Sequence, residues 1–213
     1  MKTEELISLL VRDLEAVEPA QNRRRFILAL LAGNLMAVGV SVGILRVNPT
    51  LSHLVLEPMF WVRESFCLAL GLTGIVALRR LGRPGRTLGL VPFGAAAPVV
   101  VLWVLAVLAL LAAPPSARVP LILGRTARAC PFLITLLAVP PFAAFVWMSR
   151  GLAPTHLRLT GAAAGLAAGA LGALAYTLHC PELAAPFIGV WYLLGMLIPT
   201  ALGACLGPRL LRW

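Results

Sequence analysis

The chain has 213 residues, 60% of them hydrophobic and only 12% charged, with a mean hydropathy of +0.93. A soluble domain of this size carries about a quarter charged residues and cannot hide so much apolar side chain from water, so a soluble enzyme and a large extramembrane domain are both excluded. The net charge of +10 would point to nucleic acid in a soluble protein, but in so apolar a chain the one Lys and 17 Arg serve orientation in a lipid bilayer, and no nucleic-acid partner is expected.

Residues 1–25 make the only substantial polar segment. Thr3 can cap a helix, with Glu4 and Glu5 in its first turn, where the helix dipole favours negative charge. Ile7, Leu10, Val11, Leu14 and Val17 then recur at helical spacing, and Leu6 and Leu9 widen the stripe. Arg12, Asp13 and Glu15 lie off it, and Pro19 is expected to end this short amphipathic helix. The first 25 residues hold five acids and five bases, so the helix makes a poor anchor for anionic lipid. Either the stripe fills a groove on a partner protein, or it folds back onto the membrane interface or the loops. The apolar run that follows is long and has no AxA-like site, which reads as an uncleaved anchor rather than a signal peptide.

Each membrane helix needs about 20 apolar residues, and the rest of the chain supplies six such runs. They are expected at Phe26–Leu45, Met59–Leu78, Leu90–Ala113, Cys130–Met148, Leu159–Leu178 and Leu183–Leu206, a six-helix domain over 26–206 followed by a tail at 207–213. The fold class is therefore an all-α membrane protein. Arg23, Arg24 and Arg25 precede the first span, Arg79 to Arg86 form an arginine loop after the second, and Pro114 to Ala129 is read as a loop. With the N-terminus inside, thirteen of the 18 basic residues fall on the cytoplasmic side, against four outside. Both termini are thus expected in the cytoplasm. Gly161, Gly165 and Gly169 recur every four residues on the fifth span and let another helix of the bundle approach closely. Trp61, Trp103, Trp147, Trp191 and Tyr192 read as interfacial belt residues.

An intramembrane charge is a functional candidate by default, and only Arg63 and Glu64 qualify. Arg63 lies near enough to the outer edge to snorkel, and neighbouring helix positions do not face each other. The spans lack the midplane ionisable groups typical of a transporter, although Pro140, Pro141, Pro186 and Pro199 could break helices. His53, His156 and His179 fall in three different loops, and no GxSxG, HExxH or phosphate-cradling loop occurs. No enzyme activity and no cofactor are expected. The four cysteines include no CxxC pair. Cys67 and Cys205 read as small buried hydrophobes. Cys130 opens the fourth span and Cys180 closes the fifth, so both lie at the outer face, where sensing, disulfide formation and inert packing stay open. His179, Cys180 and Glu182 in one turn could offer N, S and O ligands to a soft metal.

These pieces together resemble a known family. The opening Met-Lys-Thr-Glu-Glu-Leu-Ile-Ser-Leu-Leu, Pro19 and the Arg23–Arg25 run look like the start of the NrsF family of membrane anti-sigma factors. Phe60-Trp61-Val62-Arg63 resembles its second span, in which Lys is commoner at the last position. Cys130, Gly151-Leu-Ala-Pro154-Thr155, His179-Cys180-Pro-Glu182, Trp191-Tyr192 and Gly207-Pro208-Arg209 match it in order. The resemblance implies six spans at the bacterial inner membrane and a bound extracytoplasmic-function (ECF) sigma factor, released under oxidative or heavy-metal stress. It implies that Cys130 and Cys180 are the redox-sensing residues. It also implies sigma binding by the N-terminal segment, where Leu6, Ile7, Leu10, Val11 and Leu14 are the candidate contacts. Two other classes remain beside it, a membrane thiol oxidoreductase and a small-solute or metal transporter.

Overall fold

The computed structural model describes residues 19–83, 85–152 and 154–212, and all regular structure among them is helical. The amphipathic stripe expected over 3–17 lies outside the described residues. Among the described residues, six helices are long and apolar enough to cross a membrane. The first span is Arg24–Leu45, the second Pro58–Leu81, the third Val91–Ala112, the fourth Cys130–Ser149, the fifth Leu157–Thr177 and the sixth Ala185–Leu210.

Two local expectations need correction. The described residues open in a helix, Pro19–Val40, so the arginine run rides on the helix that becomes the first span. The stretch read as a loop after the third span contains a helix, Pro115–Leu123. The prolines do not break the spans: Pro140 and Pro141 lie inside the fourth, and Pro199 inside the sixth. The sixth span does widen into a π-helical segment at Ile188–Tyr192, and the first ends in another at Ser41–Leu45.

The fifth span is the central pillar, packing against the second, fourth and sixth. Its sequence explains why. Most of its residues are Gly or Ala, so neighbouring helices can close in from several sides. A Cβ on Gly165 would lie 2.7 Å from the Pro199 carbonyl carbon, and one on Gly161 would lie 2.9 Å from Gly207 Cα, so the sixth span lies backbone to backbone against the fifth. Gly74 makes the same kind of contact with Ala167 across the second span, at 3.0 Å to its Cα. The Gly161, Gly165 and Gly169 row therefore serves packing inside the bundle.

The outside of the bundle is apolar. Leu35 and Met36 on the first span, Val101, Val104 and Leu111 on the third, and Phe132 and Leu136 on the fourth are all exposed. A contiguous surface of this kind is stable against lipid and not against water. Trp61, Trp103 and Trp147 are exposed on it, whereas Tyr192 is fully buried and Trp191 is part-buried, its indole N–H donating to Ile122 O at 2.8 Å. Tyr192 is a core residue rather than a belt residue.

Candidate functional site

The sequence candidates Cys130 and Cys180 come together in one apolar cluster at one end of the bundle, with Tyr176, Phe187, Ile188 and Tyr192. Both thiols are free and fully buried. Thr126 links them. Its carbonyl accepts the N–H of Cys130 at 2.9 Å, at the entry to the fourth span. Its hydroxyl lies 3.9 Å from the Cys180 sulfur. Cys180 sits in the turn that ends the fifth span, its N–H donating to Tyr176 O at 3.1 Å. The Tyr176 ring stands 5.8 Å from that of Tyr192, and both hydroxyls are buried without a hydrogen-bond partner.

The three side chains of the candidate metal set turn to different partners. His179 Nδ1 meets Arg46 O at 3.0 Å, Glu182 Oε1 accepts the N–H of Arg125 at 2.7 Å, and the Cys180 sulfur faces Thr126 in the core. Among the described residues, no group of three His, Cys, Asp or Glu gathers that could hold a metal ion. Arg46, Asn48, Arg125 and His179 line an open cleft over this end of the bundle, with Thr126 and Pro181 also in its wall. Thr126 thus stands between the cleft and the buried Cys180 sulfur.

Arg63 overturns its sequence reading. Its side chain is fully buried instead of snorkelling out, because the acceptors it needs are inside. Nη1 donates to Cys180 O at 3.1 Å and Glu182 O at 3.0 Å, and Nη2 to Thr177 O at 3.4 Å. Its Nε lies 3.6 Å from Glu64 Oε1, so these neighbouring side chains do meet. The cation also sits 5.1 Å from the Phe60 ring centroid and 5.8 Å from that of Tyr192. The rule that an intramembrane charge is functional by default was the signal for it.

The other two cysteines differ. Cys67 is buried in the same cluster, as expected of a small hydrophobe. Cys205 is exposed on the sixth span, contrary to its buried reading, because that helix turns it away from the fifth. At the far end, Arg79, Arg80, Arg83 and Arg86 line an open basic cleft. Arg79 lies 5.4 Å from the Phe26 ring centroid, and Arg80 donates to Leu88 O at 2.8 Å.

Comparison with known proteins covers nearly all of this architecture. The family model "NrsF: Negative regulator of sigma F" matches residues 10–213. A protein of Azospira oryzae described as a probable anti-sigma-F factor NrsF is 46% identical over 213 residues, with 100% of both chains covered. The anti-sigma-F factor NrsF of Caulobacter vibrioides is 38% identical over 221 residues, again with 100% of both chains covered. No solved structure matches. From residue 10 to residue 213, then, the chain follows one pattern, and it belongs to the NrsF family.

Proposed function

We propose that this protein is a multi-pass anti-sigma factor of the bacterial inner membrane. It holds an ECF sigma factor at the cytoplasmic face and releases it when Cys130 and Cys180 are oxidised from the periplasmic side. Family membership supports the sigma-factor partner. The excess of arginine on the loops of the arginine end supports cytoplasmic termini and periplasmic thiols. Leu6, Ile7, Leu10, Val11 and Leu14 are the sigma-binding contacts in this reading.

One observation carries the sensing role: two free thiols, one opening the fourth span and one in the turn after the fifth, share one buried cluster, and Thr126 bonds the Cys130 backbone while lying beside the Cys180 sulfur. A hydroperoxide supplies the oxidant. One thiolate attacks the peroxide oxygen, giving a sulfenic acid and releasing the alcohol or water. The second thiol then displaces water to close the disulfide, so two thiols and hydrogen peroxide yield a disulfide and two waters. The scattered partners of His179, Cys180 and Glu182 favour oxidation over metal capture as the trigger. Buried thiols without a CxxC pair are poorly placed to pass a disulfide to a substrate protein, which argues against an oxidoreductase.

The test is co-purification of the sigma factor from membranes with and without peroxide. Cys130→Ser and Cys180→Ser should each retain it under peroxide, because an alcohol cannot replace the attacking thiolate. The double variant should behave like either single one, since a two-residue switch fails when either half is missing. Normal release from the double variant would reduce the pair to packing. Reporter fusions near Asn48, Ser116 and Glu182 should lie outside, and fusions near Arg83 and Pro154 inside.

A further inference from the structure

We infer that Arg63 is a positioning residue for the thiol pair. It holds the 177–182 turn, and Cys180 within it, against the second span, and loss of that hold is what an oxidised pair transmits to the opposite end of the protein. This rests on the reading of Cys130 and Cys180 as the sensing pair.

Among the described residues, Arg63 is one of the largest fully buried side chains. A guanidinium cannot shed its proton, so in an apolar interior it needs acceptors. The carbonyls that accept its hydrogen bonds all belong to one short segment: Thr177, Cys180 and Glu182. They lie where the fifth span ends, and the last carbonyls of a helix have no intrahelical partner and attract a cation. Arg63 is therefore a C-terminal cap supplied by another helix, and its hydrogen bonds depend on where the Cys180 backbone sits.

The geometry of a disulfide makes that dependence matter. Two free sulfurs must come to about 2.05 Å with a fixed torsion, so one or both cysteines shift when the bond forms. A shift at Cys180 moves one acceptor directly and tilts the two beside it. The Nε of Arg63 has no hydrogen-bond partner in reserve, and its ion pair with Glu64 lies within its own helix. A charge with no route to water must then follow its acceptors, and the second span carries it.

That span is one unbroken helix from Pro58 to Leu81. From position 63 to position 79 it runs about 24 Å by helical rise and ends at the arginine cleft. Its seam with the fifth span is close: a Cβ on Gly71 would lie 3.3 Å from Ala170 Cβ and one on Gly74 would lie 3.0 Å from Ala167 Cα, so a shift of the second span is felt along that contact. A displacement at Arg63 therefore emerges on the face where the sigma factor is held.

The experiment uses full-length protein in membranes with its sigma factor. Arg63→Gln removes the charge and keeps a donor amide, and Arg63→Lys keeps the charge with fewer directed donors. Without oxidant, Arg63→Gln should retain about tenfold less sigma factor per membrane-inserted protein, a size set by losing charge-assisted hydrogen bonds. Its thiols should be fully reduced by mass-tag assay, and Arg63→Lys should fall between it and the parent. A staple that only stabilises the fold would lower the amount of inserted protein without lowering the sigma factor held by each copy. Parent-like retention and parent-like release by Arg63→Gln would overturn the inference.

If Arg63→Gln fails to insert, a second measurement keeps Arg63 intact. Val76→Cys places a thiol in the arginine cleft, in a Cys67→Ser, Cys205→Ser background. Its alkylation rate should change severalfold after peroxide, and adding Cys180→Ser should abolish the change. An unchanged rate overturns the inference, whereas peroxide failing to release the sigma factor from the parent overturns the sensing reading itself.

Discussion

The hydroxyl of Thr126 lies 3.9 Å from the sulfur of Cys180, and the same residue's carbonyl holds the N–H of Cys130. One residue thus meets both cysteines, Cys130 through its backbone and Cys180 through its side chain, and forms part of the wall between Cys180 and the cleft above it. A hydroxyl near a sulfur can donate to the thiolate as it forms. Thr126→Val keeps the shape and removes the donor. Alkylation of Cys180 in membranes should then slow by about fivefold, the worth of one ordinary hydrogen bond. An unchanged rate would leave Thr126 as packing alone.

The cleft beside Thr126 carries Arg46 and Arg125, and a cleft lined by one sign of charge concentrates ions of the other. A negatively charged methanethiosulfonate should therefore modify Cys180 severalfold faster than a positively charged one, relative to their rates with a free thiol. Replacing both arginines with Gln should abolish the preference, and raising the salt should weaken it. Equal relative rates in the parent protein would show that reagents reach Cys180 by another path.

The N-terminal stripe is tested without touching any span. Leu10→Asp together with Leu14→Asp puts two charges into the apolar face, which should weaken sigma binding by several kcal/mol if the stripe fills a partner groove. The variant should insert at parent levels and release the sigma factor without stress. Unaltered co-purification would remove this segment from the binding surface.

Two glycines separate close packing from helix propensity. At Gly165 an added Cβ would lie 2.8 Å from Thr200 Cα and 2.7 Å from the Pro199 carbonyl carbon, and backbone cannot swing aside. Gly165→Ala should therefore destabilise the bundle by about 1–3 kcal/mol. At Gly39 nothing lies within 4 Å. Gly39→Ala should be neutral or stabilising by up to about 1 kcal/mol, the helix preference of Ala over Gly. Thermal unfolding in detergent reads both, and equal effects would mean that the fifth and sixth spans are not in backbone contact.

The six spans, their approximate ends and the close approach along Gly161, Gly165 and Gly169 were legible in the sequence. Each is a property of a contiguous run: enough apolar residues to cross lipid, or small residues on one helix face. Cys130 and Cys180 were legible as candidates because each marks a span end.

What Arg63 does lay beyond any local reading. Its acceptors are 114 to 119 residues away in the chain, and only the packing of the second span on the fifth brings them within reach. The same holds for Thr126, which meets Cys180 across 54 positions, and for Tyr192, whose place in the core depends on the π-helical turn that carries it. Hydropathy decides whether a helix enters the membrane. Which of its residues face lipid and which face one another is decided only when the helices pack, because a buried polar group needs a partner and that partner is a long-range neighbour.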